Sequence, residues 1–163
     1  MDLPVPAPSQ CVVGLTIPLP EPYAAQVRIV RAGAGDPLAH VIAPHVTLLP
    51  PTVVERGDVP AIAAHVERVA GRTAPFVLRA RGVGTFRPVS PVVYVALQDG
   101  GPQCDVLQQM LRRQGGPLAT ALRFPFHPHI TLAHEVSDDS LDAAACAGAD
   151  IDARFVVERI SLH

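Results

Sequence analysis

The sequence predicts an α+β fold made of two matched halves, and three observations carry that prediction. One pentapeptide occurs twice, as Pro44-His45-Val46-Thr47-Leu48 and as Pro128-His129-Ile130-Thr131-Leu132. The order of elements around it also repeats: strand, helix, motif strand, helix, strand. The spacing repeats as well, with 34 residues leading from Cys11 in the first strand to His45 and 37 from Val92 in the corresponding strand to His129. A duplicated unit related by an approximate two-fold axis sets its two motif strands symmetrically about one shared cleft. The chain reads as one domain over 1–163, with pseudo-two-fold halves at about 11–90 and 91–163.

Each element has a local reason. Cys11 to Ile17 alternates apolar and small residues, as a strand does. Pro22 to Val30 places Tyr23, Val27 and Val30 at the i, i+4 and i+7 positions of a helix. The first motif strand follows around His45 to Leu49. Asp58 then stands as the cap of a helix with Pro60 in its first turn, Ile62, Val66 and Val69 along one stripe, and Gly71 at its end. Phe76 to Val83 reads as a strand. From Pro91 the order restarts with a β-branched strand at Val92 to Leu97. A helix over Gln103 to Gln114 turns Val106, Leu107, Met110 and Leu111 inward and stops at Gly115 and Gly116. The second motif strand comes next, then an alanine-rich helix from about Ser140 and a last strand through Phe155 and Val157. Arg31 to Pro37 and Gly115 to Pro117 read as turns.

Composition narrows the function classes. The chain has 163 residues, 48% of them hydrophobic, enough to bury most of the apolar surface of one domain. Thirteen basic residues stand against 15 acidic ones. That balance argues against tracking a long polyanion through many phosphates and suits a small or terminal phosphate target. Cys11, Cys104 and Cys146 are an odd number without CxxC spacing, which points to neither a disulfide framework nor a zinc site. A reducing cytoplasm is the expected location. Met1 to Ser9 is proline-rich, without the basic and apolar segments of a secretion signal, and no apolar run reaches membrane-spanning length, so no membrane partner is expected. A monomer is the default.

The motif residues carry the chemistry. In a strand, residues i and i+2 point to the same face, so His45 and Thr47, and likewise His129 and Thr131, share a face while Val46, Leu48, Ile130 and Leu132 hold the core. Neutral and protonated imidazole coexist near neutral pH, so two histidines supply one base and one acid at once. A cyclic phosphodiester needs both: one ring takes a proton from attacking water, and the other gives one to the departing ribose oxygen. The two threonine hydroxyls donate to the non-bridging oxygens as charge grows there. Neither metal nor cofactor is required.

At these residues the chain resembles the two-histidine (2H) phosphoesterase superfamily, which is named for two His-x-Thr-x motifs and includes the 2′-5′ RNA ligase-like proteins and cyclic phosphodiesterases. His45-Val46-Thr47-Leu48 and His129-Ile130-Thr131-Leu132 match that pattern in full. Gly84-Thr85-Phe86-Arg87-Pro88 with Val92-Val93-Tyr94-Val95 is similar to a strand pair of the family, and Arg123-Phe124-Pro125-Phe126-His127-Pro128 to its approach to the second motif. The likeness extends from about Cys11 to Leu162. It implies a bilobal fold with antiparallel sheets flanking a central cleft and helices outside. It also implies hydrolysis or ligation at 2′,3′-cyclic or 2′-5′ phosphodiester bonds of nucleotides or RNA ends. By resemblance His45 is the proton donor and His129 the acceptor. Such proteins often continue past the strand at Phe155 to Leu162, so an edge strand here is expected to be missing or supplied otherwise.

Competing readings concern the same residues. His127 and His129 with His134 form a candidate metal cluster, but Glu135 lies on the wrong side of the alternation to complete it. His127 is expected at the groove edge and His134 exposed. His65 is expected to be half-buried packing, and His40 and His163 carry no argument. Phe86, Tyr94 and Phe126 are the few aromatics able to stack on a base, but each is more often core. A cleft that binds nucleotide or RNA without turnover, and a 2′-5′ ligase aided by a patch of Arg79, Arg81 and Arg87, are the alternatives to a cyclic phosphodiesterase.

Overall fold

A computed structural model describes residues 4–122 and 124–163. Arg123, part of the approach to the second motif, lies outside the described residues. The described residues form seven strands and four α-helices: β1 (Gln10–Pro18), α1 (Tyr23–Gly33), β2 (His45–Glu55), α2 (Val59–Ala70), β3 (Phe76–Thr85), β4 (Val92–Asp99), α3 (Gly101–Leu111), β5 (His129–His134), α4 (Asp138–Ala147), β6 (Asp152–Val157) and β7 (Ser161–Leu162). The expected α+β order is present. All strand pairs are antiparallel, in one sheet of order β6-β3-β4-β5-β2-β1-β7.

The two motif strands are neighbours at the middle of this sheet. They are held in register by a single partner pair, Val46 with Ile130. On either side of that junction the pairing is extensive: β1 runs along β2 from Gln10 opposite Glu55 to Pro18 opposite His45, and β4 along β5 from Val92 opposite His134 to Ala96 opposite His129. The outer strands are exchanged between the halves of the chain. β3 from the first half pairs with β4 and β6 of the second, and β7 from the second half pairs with β1 of the first. The outer edge of β1 is thus covered by two residues of β7.

Period-two alternation explains the central strands. Val46, Leu48, Ile130 and Leu132 are at most 1% exposed, whereas His45, Thr47, His129 and Thr131 between them are only partly buried. Leu15 and Ile17 of β1 continue the core face, and Val27, Ile62, Leu107, Leu111 and Leu141 seal it from the helices. Burying a side chain of this size stabilises a fold by about 1.5 to 3 kcal/mol, which is why the alternation, and not the polar pair, fixes the strand's facing.

Some local expectations change. α3 buries Cys104, Leu107, Gln108 and Leu111, while Val106 is 55% exposed. The stripe is therefore rotated from the one the apolar residues suggest, because Cys104 and Gln108 take inward places. Asp58 sits in a short 3-10 turn, Arg56–Asp58, and its side chain makes no capping bond to α2. Ser137 does cap α4, accepting from the Ser140 amide. His65 is fully buried, not half-buried, and its Nε2–H donates to the Leu111 carbonyl at 2.9 Å, pinning α2 to the end of α3. Among the described residues no helix is long and apolar enough to cross a membrane.

Candidate active site

The register decides which side chains meet. With Val46 opposite Ile130 in an antiparallel pair, Thr47 falls beside His129 and His45 beside Thr131, all on the face opposite to the core. The imidazoles occupy one diagonal of this square and the threonines the other. In a regular ladder such diagonal neighbours are about 7 to 8 Å apart. All four residues singled out by the duplicated motif therefore come together on one surface.

Each histidine is oriented by its own strand. His45 Nδ1 lies 2.7 Å from the Ala43 carbonyl and His129 Nδ1 2.7 Å from the His127 carbonyl, two residues back in both cases. A carbonyl only accepts, so both Nδ1 atoms carry a hydrogen and donate it. Nε2 is left in each ring for a ligand: an acceptor when the ring is neutral, a donor when it is protonated. Burial pushes both imidazoles below the ordinary histidine value. The carbonyl bonds oppose this shift, whereas basic neighbours add to it: Arg31 and His163 at His45, and His127 and His45 at His129. His45 thus acts on His129 directly, and the two rings lie within electrostatic reach of one another.

The near-symmetry ends at the second neighbours. His129 lies edge-on to Phe86, with centroids 4.9 Å apart, and 5.1 Å from Tyr94; those two rings are 4.4 Å apart. Exposed His127 packs on the same pair at 5.3 Å from each. Phe86 and Tyr94 thus wall His129, while Phe126 packs partly buried against the core. On the other side, the turn before His45 is fixed by a buried ion pair. Arg31 Nε donates to Asp36 Oδ2 at 2.8 Å, both side chains being 8% exposed, and Arg31 Nη1 donates to the Ile42 carbonyl at 2.7 Å.

The structure corrects three expectations about polar residues. His134 is not exposed: its side chain is 26% exposed, and its Nε2 is 3.5 Å from Glu135 Oε1. Glu135 has φ +54, so the chain turns there and the alternation that placed its carboxylate on the far side is broken. Even so, among the described residues no three His, Cys, Asp or Glu side chains converge as metal ligands would. The basic patch is also not free. Arg79 and Arg81 face Asp152 at 2.7 and 3.8 Å, and Arg87 faces Asp142 at 2.6 Å and Asp138 at 3.2 Å.

Two residues given no role by the sequence reach this face. Thr16 of β1 is the register partner of Thr47 and is 9% exposed, and its Oγ1 is 3.0 Å from His163 Nε2. The one signal in the sequence is a lone hydroxyl inside the apolar run Val12 to Leu19. Nothing local points to His163, which lies 147 residues away along the chain.

Known proteins resemble this chain in sequence and in fold. The profile of the 2′-5′ RNA ligase superfamily matches residues 19–163. A candidate phosphoesterase of Halalkalibacterium halodurans is 28% identical over 129 residues, spanning 78% of this chain and 74% of that protein. Another, of Bacillus cytotoxicus, is 30% identical over 103 residues, but the match spans only 63% of this chain and 58% of the relative. Among solved structures, E. coli LigT complexed with 3′-AMP superposes with a TM-score of 0.69 at 24% identity, covering 94% of this chain and 87% of that one. The same protein complexed with NADP+ gives 0.66. At that identity the structural likeness speaks for the fold. The family profile takes in both motifs and runs from Leu19 to His163, and by that match the chain belongs to the 2′-5′ RNA ligase superfamily.

Proposed function

We propose that this chain is a metal-independent phosphodiesterase that hydrolyses 2′,3′-cyclic phosphates of nucleotides or RNA ends, acting in the cytoplasm as a monomer. The observation that carries the reading is the square of His45, Thr47, His129 and Thr131, with each Nδ1 tied to a backbone carbonyl and each Nε2 left for a substrate. The phosphoesterase names of the relatives and the 3′-AMP held by LigT support a nucleotide phosphate as the ligand.

In this reading neutral His129 Nε2 takes a proton from water as the water oxygen bonds to phosphorus. The bond from phosphorus to one ribose oxygen breaks, and protonated His45 Nε2 gives its proton to that oxygen. The product is a ribose monophosphate, and the two rings have exchanged protonation states. Thr47 and Thr131 donate to the non-bridging oxygens, where charge develops. The assignment of donor and acceptor rests on the family resemblance. With Arg79, Arg81 and Arg87 committed to aspartates, the patch invoked for a ligase holding two strands is less available.

Incubation with 2′,3′-cyclic mononucleotides, followed by phosphorus NMR, tests this directly. His45→Ala and His129→Ala should each lower kcat by about 10²- to 10⁴-fold, the usual contribution of one proton transfer, and EDTA should have no effect. Activity removed by EDTA and restored by zinc would overturn the metal-free mechanism. Tight binding of a nucleoside monophosphate with no turnover would replace the enzyme by a binding module.

A further inference from the structure

Helix α3 has more apolar surface than the core uses. Cys104, Leu107 and Leu111 face inward, while Val106 and Met110, one turn apart, lie along an outer flank, Val106 55% exposed and Met110 partly buried. A surface helix ordinarily turns one apolar stripe to the core and leaves polar residues outside. Val106 and Met110 join Val69 of α2 in lining a groove of about 560 Å³ between the two helices. The bond from His65 to the Leu111 carbonyl holds its walls together.

The charge of this groove is of one sign. Exposed Arg68, Arg72 and Arg113 line it, and no carboxylate does. Arg28, Arg31, Arg79, Arg81 and Arg87 each face a carboxylate, whereas among the described residues Arg68, Arg72 and Arg113 pair with none. In a chain of formal net charge −2, three uncompensated guanidinium groups therefore surround an apolar lining. Ile62, Val66, Leu107 and Leu111 turn α2 and α3 toward the core, so the groove opens on the far side of these helices from the motif square.

We propose that the groove between α2 and α3 is a docking site for an acidic amphipathic helix carried by another protein. A nucleic-acid backbone would use the arginines and leave Val106 and Met110 without an apolar partner. A bilayer surface is too flat to follow a concave lining between two helices. A helix with apolar residues at i, i+3 or i+4 and i+7, and carboxylates along both flanks, meets the lining and the arginines together. Guanidinium suits that role, being weakly hydrated and shaped to hold a carboxylate by two bonds. The walls, 12 and 11 residues long, set the length of the occupant at about three turns. Its binding leaves the motif cleft open.

Calorimetry with a synthetic helical peptide of about 14 residues tests the site, the peptide having leucines at that spacing and glutamates on both flanks. The acidic peptide should bind, and the same peptide with lysine for every glutamate should not. Amide shift changes seen by NMR should fall on α2 and α3 and leave β2 and β5 unmoved. Arg68→Gln combined with Arg72→Gln should weaken binding about tenfold, the loss of two charge-assisted contacts. Val106→Asp, at an exposed position, should weaken it through the apolar side, with an unchanged denaturant midpoint in both variants as the check on folding. No binding of the acidic peptide, equal binding of both peptides, full affinity in the double arginine variant, or shift changes centred outside α2 and α3 would each overturn the site. Binding of an oligouridylate there in place of the peptide would overturn it too, by making the groove a nucleic-acid surface.

Discussion

His45 and His129 have the same backbone bond and the same direction of shift, yet they answer to different neighbours. Burial holds both rings neutral to lower pH than an ordinary histidine, whose value is near 6.5. A reaction that needs one neutral and one protonated ring is fastest between the two apparent values, which belong to the pair and not to either residue. We therefore expect a bell-shaped profile of kcat/KM for the free protein with its maximum below about pH 6.5. A maximum at pH 8 or above would contradict the pairing. These four residues were legible because a polar residue repeated on one face of an apolar strand is conspicuous when the strand occurs twice. The facing of His134 and Glu135 escapes simple alternation because the β4–β5 register shifts between Thr131 and Ala133 and φ turns positive at Glu135, and no pattern of residue types announces either.

At the scale of elements, the β3–β4 pair shows why a glycine stands at position 84. A Cβ on Gly84 would lie 2.6 Å from the Tyr94 ring, which is itself packed at a tilt against Phe86 and next to His129. The ring is 8% exposed and walled by its neighbours, so it cannot simply swing away. Gly84→Ala should destabilise the fold by about 1 to 3 kcal/mol, read as a lower denaturant midpoint, and should lower turnover as well by shifting the wall of His129. An unchanged midpoint would show that Tyr94 moves freely. The order and facing of strands could be read from alternation. The facing of α3 could not, because the stripe through Cys104, Leu107, Gln108 and Leu111 competes with a more apolar one through Val106 and Met110.

Across the whole molecule, the outer strands change sides, and sequence periodicity carries no information about that exchange. The contact of His163 with Thr16 depends on it, since β7 reaches β1 only because the last strand leaves β6 and crosses to the far edge of the sheet. The lowered values of His45, His129 and His134 also have a global consequence. The unfolded chain takes up these protons at higher pH than the folded one, so stability is full above about pH 7 and is lost as pH falls through the lowered values. Urea midpoints should therefore drop between pH 7.5 and 5.5, and the double change His45→Gln with His129→Gln should flatten that slope. A midpoint that rises on acidification over this interval would reverse the sign and refute the argument.

The carbonyl two residues upstream has a last consequence. Because each imidazole takes its aim from a stretch of extended chain no longer than a few residues, the aimed ring is portable. It needs no carboxylate from a distant loop to hold its tautomer, only an antiparallel neighbour bearing the same stretch. Copying one segment of chain is enough to copy a finished half of the apparatus, and two copies laid head to tail make the whole.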